Sequence, residues 1–371
     1  MKSVTNLKIS ISGVRAVVGD TLTPLLMVRF AQAFGTWVGS GTVVVGSDTR
    51  TSGEMVRHAV LSGLASAGCQ VVDVGICPVP TVQVMVERLA AAGGVAITAS
   101  HNPVEWNALK FIRNDGIFLS PYEAEELLTI YHQGEFTRVG SALLRPPRQN
   151  TDAVRTHVEE IVKLVDAEKI RQRRFKVAVD CCNGAGAVAT PHLLEALGCE
   201  MLGIHLTPNG VFPHPPEPLP ENLTQLCAHV RQTGAHIGFA QDADADRLAI
   251  VSEAGEAIGE EYTLALCTDF VLRRNPGPVV VNVSTSMMAE EIAARYGARV
   301  VRTAVGEVNV AVRMKREGAV IGGEGNGGVI YPPLHYGRDS LIGMALVLQH
   351  LAGQQVTLSQ AVAALPRFHM V

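Results

Sequence analysis

Three short stretches carry residue types suited to chemistry. In Thr98-Ala99-Ser100-His101-Asn102-Pro103 a hydroxyl stands beside an imidazole. In Asp242-Ala243-Asp244-Ala245-Asp246-Arg247 three carboxylates alternate with small residues and end on a guanidinium. In Gly322-Gly323-Glu324-Gly325-Asn326-Gly327-Gly328 a carboxylate and an amide sit among glycines. Alternate spacing in an extended loop puts Asp242, Asp244 and Asp246 on one side. Like charges so crowded repel one another. A hard divalent cation such as Mg²⁺, which takes oxygen ligands, is the simplest compensation. Arg247 beside them suits a phosphate group, since a guanidinium grips phosphate oxygens as a fork.

Each stretch also has plainer readings. Ser100-His101 reads equally as a small polar turn, and the aspartates as a solvated acidic turn. A calcium loop of the EF-hand kind would use Asp242, Asp244, Asp246 and Glu253. It needs Gly where Arg247 stands, and helical flanks where these are apolar and strand-like. A phosphatase would use Asp242 as a covalent carrier, which leaves Ser100 without a role. The glycine loop lacks the Gly-Lys-Ser/Thr of a nucleotide P-loop; its glycines would let backbone approach a ligand, with Glu324 and Asn326 meeting sugar hydroxyls. Lys110 follows Ser100 closely enough for a hairpin return to bring it back as an acid or base, or it is a surface lysine. Arg15, after Ser12-Gly13, is a further possible phosphate contact.

The elements that must position these residues follow a repeating pattern. The run Gly94-Val95-Ala96-Ile97 predicts a buried strand ending at the Ser100 loop, and Asn102-Pro103 stops it. Thr42–Gly46 and Gln70–Val74 read as strands, with a polar turn at Asp48-Thr49-Arg50, and Ile9–Arg15 as a short alternating strand. Helices are expected over 24–38, 54–67 and 78–92. After a polar, Pro-containing linker at 140–152, a second cycle has strands at 176–180 and 236–240, with helices at 152–165, 183–197 and 223–233. A third has strands at 279–283, 300–303 and 319–324, with helices at 262–272, 287–296, 308–316 and 339–351. Strands alternating with helices mean an α/β protein with largely parallel sheets covered on both faces. The cycle recurs at a period of roughly 100–150 residues, a typical domain length.

Bulk properties narrow the function. The chain has 371 residues, 47% of them hydrophobic and 18% charged, and a net charge of −4. That excludes global disorder and offers no basic footprint for nucleic acid or an anionic membrane. The seven cysteines form no CxxC pair and read as buried small apolar residues in a reducing compartment. The first residues lack the apolar core of a secretory signal, and no apolar run is long enough to span a bilayer, so the expected location is cytoplasmic.

Taken together and in this order, the three stretches resemble the α-D-phosphohexomutase superfamily: the phosphoglucomutases, phosphomannomutases and phosphoglucosamine mutases. The resemblance runs along essentially the whole chain. It implies three consecutive domains of similar mixed, mostly parallel sheet sandwiched by helices, with the active site in the cleft between them. The expected boundaries are 1–148 (phosphoserine loop), 149–254 (Mg²⁺ loop) and 255–366 (sugar-specificity loop). It implies that Ser100 carries the phosphoryl group, that its phosphate with Asp242, Asp244 and Asp246 holds Mg²⁺, and that Arg247 and His101 surround the transferring phosphate. Lys110 matches a general acid or base, Arg15 a phosphate contact, and Glu324, Gly325, Asn326 and Gly327 the sugar loop.

The implied reaction moves phosphate between the 6- and 1-positions of a hexose or hexosamine phosphate through a bisphosphate. Trp106-Asn107-Ala108-Leu109-Lys110 and Glu324-Gly325-Asn326-Gly327-Gly328 look most like phosphoglucosamine mutases, with phosphomannomutase or phosphoglucomutase, a Mg²⁺-dependent sugar phosphatase and a non-catalytic sugar-phosphate binder as the alternatives. The sequence departs from the family pattern at Ala16 and Ala243, each where Gly is usual, at Asn326 for a common Ser and at Gly328 for a common His. Family members add a fourth domain with an Arg-x-Ser-Gly-Thr loop. These residues contain no such stretch, and 367–371 read as the start of that missing domain. The resulting expectation is a chain that binds Mg²⁺ and accepts phosphate on Ser100 but turns over poorly.

Overall fold

A computed structural model describes residues 7–10, 13–366 and 368. Their strands form three separate sheets, each a parallel core with an antiparallel edge. The chain divides into two compact units. One holds residues 1–154 with 209–211, and the other holds 155–208 with 212–371.

The first unit contains a seven-stranded sheet. Its strands are β1 (Leu7–Ser10), β2 (Gly13–Val17), β3 (Thr42–Ser47), β4 (Gln70–Ile76), β5 (Gly93–Ile97), β6 (Trp106–Arg113) and β7 (Arg148–Gln149). The spatial order is β1-β2-β6-β5-β3-β4-β7. β5, β3, β4 and β7 are parallel, and β6, β2 and β1 follow antiparallel. Successive side chains of a strand point to opposite faces, so the run Val43-Val44-Val45 serves two cores. Val43 and Val45 pack with Phe30, Phe34 and Leu64 of the helices Pro24–Trp37 and Gly53–Ser66. Val44 packs with Val82 and Met85 of the helix Val79–Arg88. This two-sided burial is why the strands read as continuous apolar runs.

The second unit holds two four-stranded sheets. The strands β8 (Lys176–Asp180), β9 (Glu200–Ile204), β10 (Ile237–Gln241) and β11 (Leu248–Val251) lie in the order β11-β10-β8-β9. The strands β12 (Val279–Asn282), β13 (Val300–Thr303), β14 (Ile321–Glu324) and β15 (Gly328–Ile330) lie in the order β13-β12-β14-β15. In both, the last strand turns back antiparallel. The helix Thr224–Thr233 packs Leu226 and Val230 on Ala178 and Ala240. The helix Glu307–Glu317 packs Val310 and Met314 on Val280 and Ile330.

Several sequence expectations need correcting. The segment Ile9–Arg15 is not one strand: β1 and β2 form an antiparallel pair across residues 11–12. The 140–152 linker contributes β7, which pairs with β4, and Gln149 Nε2 donates to Asp73 Oδ2 at 2.8 Å. The helix expected over 183–197 is a short 3-10 turn, Ala185–Val188, followed by the helix Thr190–Ala196 with Pro191 in its first turn, where a missing N–H costs nothing. The helix Pro121–Gln133 went unread, although Ser120 and Glu123 form a capping box and Gly134 ends it in the left-handed conformation, all local signals. Cys199 and Cys227 are only half-buried. Of the expected start of a fourth domain, Arg367 and His369 to Val371 lie outside the described residues. Among the described residues no helix is long and apolar enough to cross a membrane.

Candidate active site

The Ser100 loop leaves the carboxyl end of β5, where open α/β sheets place ligands. Ser100 is a non-glycine residue at φ +49°, a conformation that costs on the order of 1–3 kcal/mol and persists where its surroundings over-determine it. Here they do. Arg50 Nη2 donates to Ser100 O (2.7 Å) and Asn102 O (2.6 Å), and its Nη1 to Pro103 O (2.6 Å) and Trp106 O (2.9 Å). Arg50 Nε in turn binds Asp48 Oδ2 at 3.1 Å with both side chains fully buried. Asp48 Oδ2 also accepts Thr98 Oγ1 at 2.6 Å, and Ser100 N donates to that Thr98 oxygen at 2.9 Å. The stretch Asp48-Thr49-Arg50, read from sequence as a polar turn, is thus a buried clamp on the serine loop. Only its position at a neighbouring strand end hinted at this.

His101 Nδ1 lies 3.5 Å from Ser100 Oγ. Arg15, opposite Ala108 in the β2–β6 register, donates to Asn102 Oδ1. Lys110 sits on β6 opposite Ala96 of β5, so the expected hairpin return is present. Its Nζ lies 5.7 Å from the Phe118 ring centre, and the residue is buried. Ser100, His101 and Arg15 therefore gather at one end of the first unit's sheet, with the Lys110 backbone one strand away on β6.

The aspartate loop joins β10 to β11, which pair directly at Gln241 and Leu248. Asp242 Oδ1 accepts the backbone N–H groups of Asp246 (3.1 Å) and Arg247 (3.2 Å), and Ala245 takes φ +57°. This winding brings one oxygen from each of Asp242, Asp244 and Asp246 within 4.8 Å of the others. All three residues are fully buried. Burial first, and then Asp244 and Asp246, push the Asp242 carboxyl well above the usual range. The strand flanks rule against an EF-hand geometry, which needs helices.

The glycine loop joins β14 to β15. Glu324 Oε1 accepts Asn282 Nδ2 (2.7 Å) and Gly306 N (3.0 Å), while Oε2 accepts Arg338 Nη1 (2.7 Å). Burial raises the Glu324 carboxyl, but Arg338, Gly306 and Asn282 outweigh it and hold it below the usual range. A carboxylate has about four lone-pair positions, so a ligand would share this group rather than own it. Asn326 differs: its Oδ1 is buried without a hydrogen-bond partner. The glycines answer to protein neighbours. A Cβ on Gly325 would collide with Glu261 Oε1, and one on Gly327 would stand 2.5 Å from Leu248 O.

Arg338 joins these two loops and was not picked out from sequence, where only its place before the last long helix marked it. Its Nη2 donates to Asp246 Oδ2 (2.6 Å), Nη1 to Glu324, and Nε to Glu307 Oε2 (3.1 Å). Arg247 pairs with Glu217 at 2.9 Å. An all-oxygen, buried and convergent donor set fits a hard divalent cation such as Mg²⁺.

Comparison with known proteins places the whole chain among enzymes of one family. Residues 7–138, 155–255 and 259–368 match the models of phosphoglucomutase/phosphomannomutase α/β/α domains I, II and III, respectively. A probable phosphoglucosamine mutase of Methanopyrus kandleri is 40% identical over 362 residues, 97% of this chain and 79% of that one. A phosphoglucomutase/phosphomannomutase of Thermococcus kodakarensis is 39% identical, covering 96% and 80%. The crystal structure of a phosphoglucomutase/phosphomannomutase family protein from Burkholderia thailandensis superposes with a TM-score of 0.86 at 30% identity, over 97% of this chain and 81% of that one. Three α/β/α domains in this order, each with its loop at the strand ends, make the chain a member of the phosphoglucomutase/phosphomannomutase enzyme family.

Proposed function

We propose that this chain is a phosphohexomutase that interconverts glucosamine 6-phosphate and glucosamine 1-phosphate, with Ser100 as phosphoryl carrier and a bisphosphate as intermediate. The observation that carries this reading is the Ser100 turn, strained at φ +49° and over-determined by Arg50. Phosphoryl transfer asks mainly for positioning and charge neutralisation, and a rigid serine is the first of these. His101, 3.5 Å from the hydroxyl, attends the phosphate, Lys110 moves the proton of the attacking or leaving hydroxyl, and Arg15 orients the loop through Asn102. Asp242, Asp244 and Asp246 would hold Mg²⁺, which supplies charge neutralisation when bound. Arg247 stands by for phosphate. Asn326, with its Oδ1 unclaimed, accepts from a sugar hydroxyl or amine, and Glu324 shares its remaining lone pair. The glucosamine assignment draws on the relative named a phosphoglucosamine mutase and on the acceptor at Asn326.

The test is intact mass before and after incubation with a hexose 1,6-bisphosphate, for the wild type and Ser100→Ala, alongside conversion of glucosamine 6-phosphate. A phosphoryl increment on the wild type alone, with isomerised sugar phosphate, is expected. Release of inorganic phosphate without isomerised product, or an acid-stable increment that survives Ser100→Ala, would overturn the reading.

A further inference from the structure

The end of β8 gathers donors that the loops described above do not use. Asp180, His205 and His214 bring three ligand atoms within 4.8 Å of one another. Asp180 Oδ2 lies 2.9 Å from His205 Nδ1 and 3.0 Å from His214 Nε2. Its other oxygen accepts the Cys182 N–H at 2.8 Å. The chain departs from easy conformations to make this arrangement. Cys182, Asn183 and His205, none of them glycine, have φ of +50°, +52° and +51°. Asn183 N donates to His205 O at 2.8 Å, and Thr207 N to Asn183 Oδ1 at 3.1 Å. Three left-handed residues locked to each other around one carboxylate suggest a site that has to keep its shape.

We propose that Asp180, His205 and His214 form a second metal site that takes a borderline cation of the Zn²⁺ type. Zinc binds imidazole nitrogen and carboxylate oxygen at about 2.0–2.1 Å, which sets ligand atoms of a tetrahedron roughly 3.3 Å apart. The two Asp180–histidine separations reach that value with a small outward shift, and the two histidine nitrogens stand within 4.8 Å of each other. The surroundings are those of a metal site as well. His214 Nδ1 lies 2.8 Å from Pro215 O, the outer hydrogen bond that commits the opposite nitrogen to a metal. Cys182 N–H holds the carboxylate in the same way. The His205 and His214 side chains keep 18% and 12% of their exposure, which admits an ion and leaves a solvent-filled fourth position. The Cys182 Sγ, 3.8 Å from His214 Nδ1, faces the nitrogen turned away from Asp180 and is outside the ligand set.

The two sites differ in chemistry. Carboxylates alone suit Mg²⁺, whereas two imidazoles suit zinc and its neighbours. The histidine cluster His157, His335 and Asp339 also has the right donors. It is sealed, however, with side-chain exposures of 0%, 1% and 0%. At the open site an ion would tie His214, and the segment running on to Glu217, to the end of β8. Glu217 is the residue that holds Arg247, so the ion would act as a positioning element.

The experiment is calorimetric titration of the full chain with zinc chloride in saturating magnesium chloride, which keeps the aspartate loop filled. One zinc equivalent is expected, weakened at least 100-fold in His205→Ala/His214→Ala and retained in Asp242→Asn/Asp244→Asn. Zinc X-ray absorption on the wild type guards against misfolded variants and should show two imidazoles in the first shell. Absence of a zinc equivalent, unchanged affinity in the histidine variant, loss in the aspartate variant instead, or an oxygen-only shell would each overturn the proposal.

Discussion

At the residue scale, single arginines decide how the loops stand. Arg50 spends its guanidinium on four carbonyls of the Ser100 loop and on buried Asp48. Truncating one member of such a buried pair leaves the other charge uncompensated and costs about 3–5 kcal/mol. Arg50→Ala should therefore lower the unfolding free energy measured in urea by that order and abolish phosphoryl uptake at Ser100. Arg50→Lys should recover little, because an ammonium has three donors for these acceptors; full recovery would show that only the charge matters. Glu260 gives a pH signature. Burial pushes its carboxyl up to about 7, Arg247 opposes this, and Glu217, Glu261 and Glu221 reinforce it. The folded chain then keeps a proton that the unfolded chain releases near 4.5. Its contribution is complete below that value and is lost as pH rises through about 7. Unfolding midpoints from about pH 5 to about pH 8 should fall less steeply in Glu260→Gln than in the wild type; identical slopes would refute this.

At the element scale, neighbouring parallel strands of two sheets deliver polar ends that hold each other. β3 and β5 meet through Asp48 and Thr98 at 2.6 Å, and β12 and β14 through Asn282 and Glu324 at 2.7 Å. For β8 and β10 the contact is backbone, Ala185 N to Ala243 O at 2.8 Å. That contact needs Gly184, since a Cβ there would lie 2.6 Å from Ala243 O and 2.8 Å from its Cα. The backbone on both sides leaves no flexible side chain to yield. Gly184→Ala should displace the aspartate loop and weaken Mg²⁺ binding at least tenfold by calorimetry while far-ultraviolet circular dichroism stays intact. Unchanged Mg²⁺ affinity would mean that this turn does not seat the loop.

At the scale of the whole molecule, buried like charge is gathered in the aspartate loop. Asp242, Asp244 and Asp246 are fully buried together, and a divalent cation bound there would relieve their mutual repulsion. A ligand that binds only the folded state adds about 2.7 kcal/mol at a hundredfold excess over its Kd. Adding Mg²⁺ to chelator-treated protein should thus raise the melting temperature. Asp244→Asn should melt at or above the wild type without metal and gain nothing from it. A wild type indifferent to Mg²⁺, or a variant that still responds, would count against metal binding there.

Local chemistry was enough to read much of this protein. Apolar runs of strand length and helical periodicity announced the α/β cycles, because two-sided burial and amphipathic packing write themselves into neighbouring residues. The Ser100, aspartate and glycine loops were visible for the same reason: each is a contiguous stretch between two strands. The partners of those loops were not visible. Arg50 reaches Ser100 across 50 positions, and Arg338 reaches Asp246 across 92. Neither arginine differs in type or immediate context from one on a solvated surface. The edge strand β7 and the Asp180–His205–His214 cluster were hidden likewise, since pairing with β4 and convergence on one carboxylate exist only after the sheets have formed. Contiguous patterns carry fold and motif; which buried charge answers which is settled by tertiary packing, where desolvation makes every unmatched charge costly.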